Sequence, residues 1–154
     1  MIRTVNNSII IIDTSAVIAI ANKTDQYHNV AQIYFDNSVG NTWAVMNATT
    51  HETFTRARYN NANHLDCALK CYDDLRGGNY KVFEFNQEDE KQARSILGRY
   101  CDQIISFHDA LCVALMKRIG IFRIFTFDKH FRTLGYQLGF QVEPILYVDT
   151  LNTV

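Results

Sequence analysis

Ser8-Ile9-Ile10-Ile11-Ile12-Asp13-Thr14-Ser15 is the stretch on which the fold turns. Its isoleucines are β-branched, stiff at χ1 and apolar on whichever side of a strand they face. The run therefore suits a strand covered on both faces, as in a parallel sheet. Asp13 stops it, and a second apolar stretch, Ala16 to Ala21, follows. Broken by Asp13 and preceded by only one basic residue, Arg3, the pair makes neither a signal peptide nor a membrane span. It reads as a buried strand running into a helix, with a carboxylate at the joint.

Working outward, the pattern alternates strand and helix. The first helix is expected to about Asn22, a second from about Asp25 to Asn37, a strand over Thr42 to Met46, and a helix from near Thr49. A polar joint at Asn60 to Asn63 leads to another helix, which Gly77-Gly78 can end. Tyr80 to Phe85 reads as the third strand. Asn86 caps a helix to about Tyr100, Ser106 caps one ending at Gly120, Arg123 to Phe127 form the fourth strand, and a last one lies near Phe140 to Leu146.

Strands separated by helices imply parallel pairing with right-handed crossovers. The expected fold class is α/β, a three-layer α/β/α sandwich on a mainly parallel central sheet. There is no repeat, low-complexity tract or Pro/Gly/Ser-rich linker, so residues 1–154 are read as a single domain.

Fifteen Lys and Arg against sixteen Asp and Glu leave no strong overall field, so binding of RNA would need a local basic patch. The four cysteines, Cys67, Cys71, Cys101 and Cys112, are too few for a disulfide framework and read as reduced apolar side chains, which favours a cytoplasmic protein. His64, Cys67 and Cys71 share a helix face, but without a fourth ligand packing is preferred over zinc.

Asp13 follows the first strand and Asp128 the fourth, so both are expected at carboxyl ends of parallel strands, where open α/β sheets bind ligands. Glu52 and Asp109 are expected in first helical turns at that same edge. Each acid alone has a structural explanation: Thr49-Thr50-His51-Glu52 and Ser106-Phe107-His108-Asp109 fit a capping box, and Asp13 and Asp128 fit helix caps. Their joint placement favours chemistry. Converging carboxylates repel unless a counter-charge joins them, and oxygen ligands suit Mg²⁺ or Mn²⁺. Such an ion activates water and orients a phosphodiester. Thr14, Ser15 and Thr126 can support the ligating carboxylates.

Tyr100-Cys101-Asp102-Gln103, Ser106-Phe107-His108-Asp109-Ala110-Leu111 and Phe125-Thr126-Phe127-Asp128-Lys129-His130-Phe131, together with Asp13-Thr14-Ser15 and Glu52, resemble PIN-type ribonucleases of the VapC toxin kind. The resemblance runs over essentially the whole chain. It implies an endoribonuclease with Asp13, Glu52, Asp109 and Asp128 as the acidic set, Asp13 and Asp109 directly on Mg²⁺, and Mn²⁺ able to substitute. It also implies a homodimer and a cognate antitoxin that enters the cleft. The stretch before Asp13 is longer than in many relatives, and no further acid stands just beyond Asp128. Asp102 stands near the motif as a possible cap or metal neighbour, and one-metal and two-metal chemistry both stay open.

Arg56 shares a helix face with Glu52 and can orient it or meet an RNA phosphate; Arg58, Lys129, His130 and Arg132 can extend a phosphate-binding rim. All could equally be solvated charges. His51 and His108 are left outside the catalytic set, because adjacent helical positions point in different directions. Phe125, Phe127, Phe131 and Trp43 read as packing. Two other readings compete. A haloacid-dehalogenase-like phosphatase also has an aspartate after its first strand, but usually a second two positions on, where Ser15 stands. A catalytically silent PIN-like module binding RNA or protein would not need the acids that this chain carries.

Overall fold

The computed structural model describes residues 8–59 and 65–145. The readings made on Arg3, the joint at 60–63, His64 and Leu146 lie outside the described residues. The elements run β1 (Ile9–Ile12), α1 (Thr14–Ala21), α2 (His28–Asn37), β2 (Thr42–Met46), α3 (Asn47–Tyr59), α4 (Leu65–Arg76) and β3 (Lys81–Phe83). Then come α5 (Gln87–Arg99), α6 (Phe107–Ile119), β4 (Arg123–Phe125), α7 (Lys129–Leu138) and β5 (Gln141–Glu143). All pairings are parallel, in the order β3-β2-β1-β4-β5.

The isoleucine run lies at the centre of this sheet. Ile11 sits opposite Ala44 of β2 and Ile124 of β4. Its side chains alternate between two cores: Ile10 and Ile12 pack with residues of α1, α2 and α4, whereas Ile11 packs with those of α5, α6 and α7. Ile10, Ile11 and Ile12 are fully buried, each contributing about 1.5–3 kcal/mol of hydrophobic stabilisation. That is the three-layer α/β/α arrangement. Trp43, Phe125 and Tyr34 interlock in one layer, so Trp43 and Phe125 are packing residues.

The chain runs from β1 to β2 and β3 on one side, then crosses to β4 and β5 on the other. The order therefore reverses between β1 and β4, where crevices open at the carboxyl ends of strands. Asp13 and Thr126 are the residues that leave these two strands.

Local chemistry shifts several boundaries. The second helix starts at His28 rather than near Asp25, because the Asp25 side chain accepts from the Tyr27 amide and holds a turn there. The α3 helix begins at Asn47, so Thr49 lies inside it and does not cap it; Glu52 is correspondingly beyond the first turn. The fourth strand ends at Phe125, three residues before Asp128. The α7 helix is not among the elements expected from the sequence, although Asp128 fits a helix cap: Asp128 caps its start through the His130 amide, at 2.9 Å, and Gly139 ends it with φ +78°. Gly120, at φ +76°, ends α6 as expected. The cysteines Cys67, Cys71, Cys101 and Cys112 are free, and no described helix is long and apolar enough to cross a membrane.

Candidate active site

Asp13 is only 2% exposed. Its Oδ2 accepts from two hydroxyls, Ser15 Oγ at 3.0 Å and Thr126 Oγ1 at 2.9 Å. Those hydroxyls are themselves aimed: the Phe127 amide donates to Ser15 Oγ at 2.9 Å and the Asp128 amide donates to Thr126 Oγ1 at 3.1 Å. The two hydroxyls lie 3.0 Å from each other, and each is within donating distance of the one carboxylate oxygen. The helix-capping bond from the Ser15 amide is long, at 3.4 Å. Asp13 Oδ1 is buried and has no hydrogen-bond partner.

Glu52 arrives from α3. Thr53 Oγ1 donates to Thr14 Oγ1 at 3.3 Å, and Thr14 Oγ1 donates to Glu52 Oε2 at 2.5 Å, tying α3 to the start of α1. From α6 come two neighbours. Asp109 is 8% exposed, with its amide donating to the capping Ser106 Oγ at 3.0 Å. His108 places Nδ1 3.1 Å from Glu52 Oε2 and 3.7 Å from Asp109 Oδ1, while its Nε2 lies 3.0 Å from Thr49 Oγ1. Ligand atoms of Asp13, Glu52 and His108 all lie within 4.8 Å of one another. A buried carboxylate oxygen without a donor, beside two more carboxylates, is a donor set that fits a divalent cation.

Residues 10–135 match the family model described as PIN domain. The chain belongs to the PIN domain family. No curated protein matches it. Among solved structures, VapC20 of Mycobacterium tuberculosis, a sarcin–ricin loop cleaving toxin, is 25% identical with a TM-score of 0.74, covering 82% of this chain and 95% of that one. FitAcB from Neisseria gonorrhoeae is 13% identical with a TM-score of 0.62, covering 86% and 95%. VapBC2 from Rickettsia felis, bound to a DNA fragment from its promoter, is 16% identical with a TM-score of 0.60, covering 88% and 97%. These last two likenesses concern the fold.

In this PIN domain the electrostatics follow the geometry. Burial pushes the Asp13 carboxyl above its ordinary range, and the Asp109 charge adds to the effect. Burial works against a charged His108, but Asp109, Glu52 and Asp13 outweigh it and raise its pKa. Burial likewise works against the Asp109 carboxylate, but the neighbouring His108 and the Ser106 cap hold its pKa below the usual value.

The remaining sequence-derived candidates sit around this centre. Asp128 spends one oxygen on the α7 cap and lines a surface recess with Ser15, Tyr27, Phe127 and Arg56. Arg56 is exposed there, one turn along α3 from Glu52. Lys129, His130 and Arg132 lie in the opening turns of α7, and Arg58 in the last turn of α3. Asp102 is exposed in the turn before α6. Phe127 stacks on Tyr27 with ring centroids 4.6 Å apart. His51 is exposed, its ring 6.3 Å from that of Tyr72 on α4. His108 and Thr49 were missed as members of the cluster. Adjacent residues diverge along a helix, but α6 begins beside the cleft, so residues of its first turn can flank one centre. The available signal was that His108 and Asp109 share the turn opened by Ser106.

Proposed function

We propose that this chain is a metal-dependent endoribonuclease that hydrolyses RNA phosphodiester bonds as the toxin of a type II toxin–antitoxin pair. One observation carries the reading: Asp13, buried with Oδ1 unpartnered, meets Glu52 and His108 within 4.8 Å at the strand-order reversal of a PIN domain. The similarity to VapC20 supports the RNA substrate and the toxin role. In this reading Asp13, Glu52, Asp109 and Asp128 are the catalytic acids, with Asp128 acting through water from the recess at the edge of the centre, and residues 1–154 act as one unit. A cognate antitoxin, a homodimer and a cytoplasmic setting complete it.

Asp13 and Asp109 would hold Mg²⁺ or Mn²⁺, with Glu52 beside them. When bound, the cation offsets phosphate charge and acidifies the attacking water. The chain's own part is orientation. Ser15 and Thr126 fix one oxygen of Asp13 and leave the other unpartnered, and Thr14 fixes Glu52. Arg56, which lines the recess with Asp128, would receive a phosphate of the bound strand. Such sites lose much of their rate when a positioned group moves by an ångström.

The test is incubation of purified, antitoxin-free protein with total cellular RNA and Mg²⁺ or Mn²⁺, with EDTA and Asp13→Asn controls. Discrete cuts, lost in both controls, are expected. A folded, metal-loaded protein that cuts nothing in RNA from a range of cells would overturn the nuclease assignment.

A further inference from the structure

Resting on the metal-centre reading above, we infer that His108 is a nitrogen ligand of the cation and makes the centre prefer Mn²⁺ to Mg²⁺. Three observations lead there. His108 Nδ1 is buried without a hydrogen-bond partner, although Glu52 Oε2 is 3.1 Å away; the two atoms are close but not aligned as donor and acceptor. The opposite nitrogen, Nε2, lies 3.0 Å from the buried Thr49 hydroxyl. With Nε2–H donated to Thr49, the neutral ring presents a bare Nδ1 lone pair to Asp13 and Glu52, the arrangement by which an outer partner sets the tautomer of a ligating histidine. Finally, two ligand atoms each about 2.1 Å from one cation and at right angles are about 3.0 Å apart, close to the Nδ1–Oε2 separation seen.

The competing assignment gives Nδ1 a proton and makes it a donor to Glu52. That requires an aligned bond, and the described atoms do not make one. Asp13 Oδ1 is the second unpartnered buried atom of the same cluster, so two orphaned groups converge where one cation would satisfy both. The ligand set then has consequences. Mg²⁺ takes oxygen ligands and sheds water reluctantly, whereas an imidazole nitrogen is a better donor to the transition metals. Two carboxylates keep the set hard enough for Mn²⁺, and the single nitrogen biases it against Mg²⁺.

The test is electron spin echo envelope modulation on the Mn²⁺-loaded protein, with natural-abundance and nitrogen-15-labelled histidine, alongside Mn²⁺ and Mg²⁺ titrations. Nitrogen coupling that changes with the label and vanishes in His108→Phe is expected. So is a loss of Mn²⁺ affinity of about tenfold or more in that variant, with Mg²⁺ affinity changed less than about threefold. The wild-type spectrum needs no variant to fold. Bound Mn²⁺ without histidine coupling would overturn the nitrogen ligand and leave the metal-centre reading standing. A folded protein that binds no Mn²⁺ would overturn both, and equal losses for the two ions would overturn the preference.

Discussion

Asp89 and Asp13 are both buried aspartates at the start of a helix, 1% and 2% exposed, yet their surroundings are opposite. Asp89 belongs to the capping box of α5 and is forked by Arg118 of α6, with Nε–Oδ1 2.8 Å and Nη2–Oδ2 2.9 Å. Glu143 is held the same way by Arg123, at 2.7 and 3.0 Å. Asp13 instead faces Glu52 and Asp109, beside the imidazole of His108. Burying a carboxylate costs several kcal/mol unless charge or donors offset it. The chain supplies a guanidinium where an acid is structural, and leaves Asp13 to a proton or an incoming cation. The difference separates acids that hold the fold from acids that the fold holds ready.

The sharpest break in that comparison is Asp13→Asn. It should cut the rate on a defined RNA by at least about 10³-fold, roughly 4 kcal/mol of barrier, while leaving the circular dichroism spectrum unchanged. An active variant would remove Asp13 from the mechanism.

Next in size is the reverse experiment. Arg118→Met strands the buried Asp89 carboxylate; because Arg118 is itself about one-third exposed, the loss should be about 2–4 kcal/mol by urea unfolding. Mn²⁺ affinity should stay as it was. A variant that lost metal but not stability would invert the comparison.

Metal should act on one region only. Mn²⁺ at about 100 times its Kd should stabilise the protein by about 2.7 kcal/mol in thermal or urea unfolding, and should not do so for Asp13→Asn. The sign of the pH dependence follows from Asp13. Its folded pKa is raised, so its contribution to metal-free stability is fully present below its unfolded value and lost as pH rises through the folded one. Asp13→Asn should flatten that decline, while the stabilisation given by Mn²⁺ should grow with pH as protons cease to compete. Unfolding midpoints followed from about pH 4, the unfolded aspartate value, upward measure both.

The smallest effect belongs to Asp128→Asn. Asparagine caps helices as well as aspartate does, so stability should move by less than about 0.5 kcal/mol. Cleavage should fall by less than about tenfold, the loss of a charge at the recess. A loss as large as that from Asp13→Asn would bring Asp128 into the centre itself.

The sheet was legible because isoleucines in series leave few alternatives, and β2, Ser106 and Gly120 stand where turn and cap chemistry put them. Asp13 was legible as the polar residue at the end of an apolar run. The α7 helix was not, although Phe131, Leu134 and Leu138 recur at helical spacing behind Asp128. Its opening residues, Lys129 and His130, read as a charged rim and hid the periodicity. His108 was hidden differently. Its place beside Glu52 depends on Thr49, 59 residues away, and on α3 starting at Asn47, so the first turn that it shares with Asp109 was the local sign of it.

The bond from Thr126 to Asp13 joins residues 113 positions apart. A ribosome making this chain adds the aspartate first and its supporting hydroxyl only 113 residues later. A chain cut short before Thr126 would carry Asp13, Glu52 and Asp109 without the β4-edge hydroxyl that holds one oxygen of Asp13.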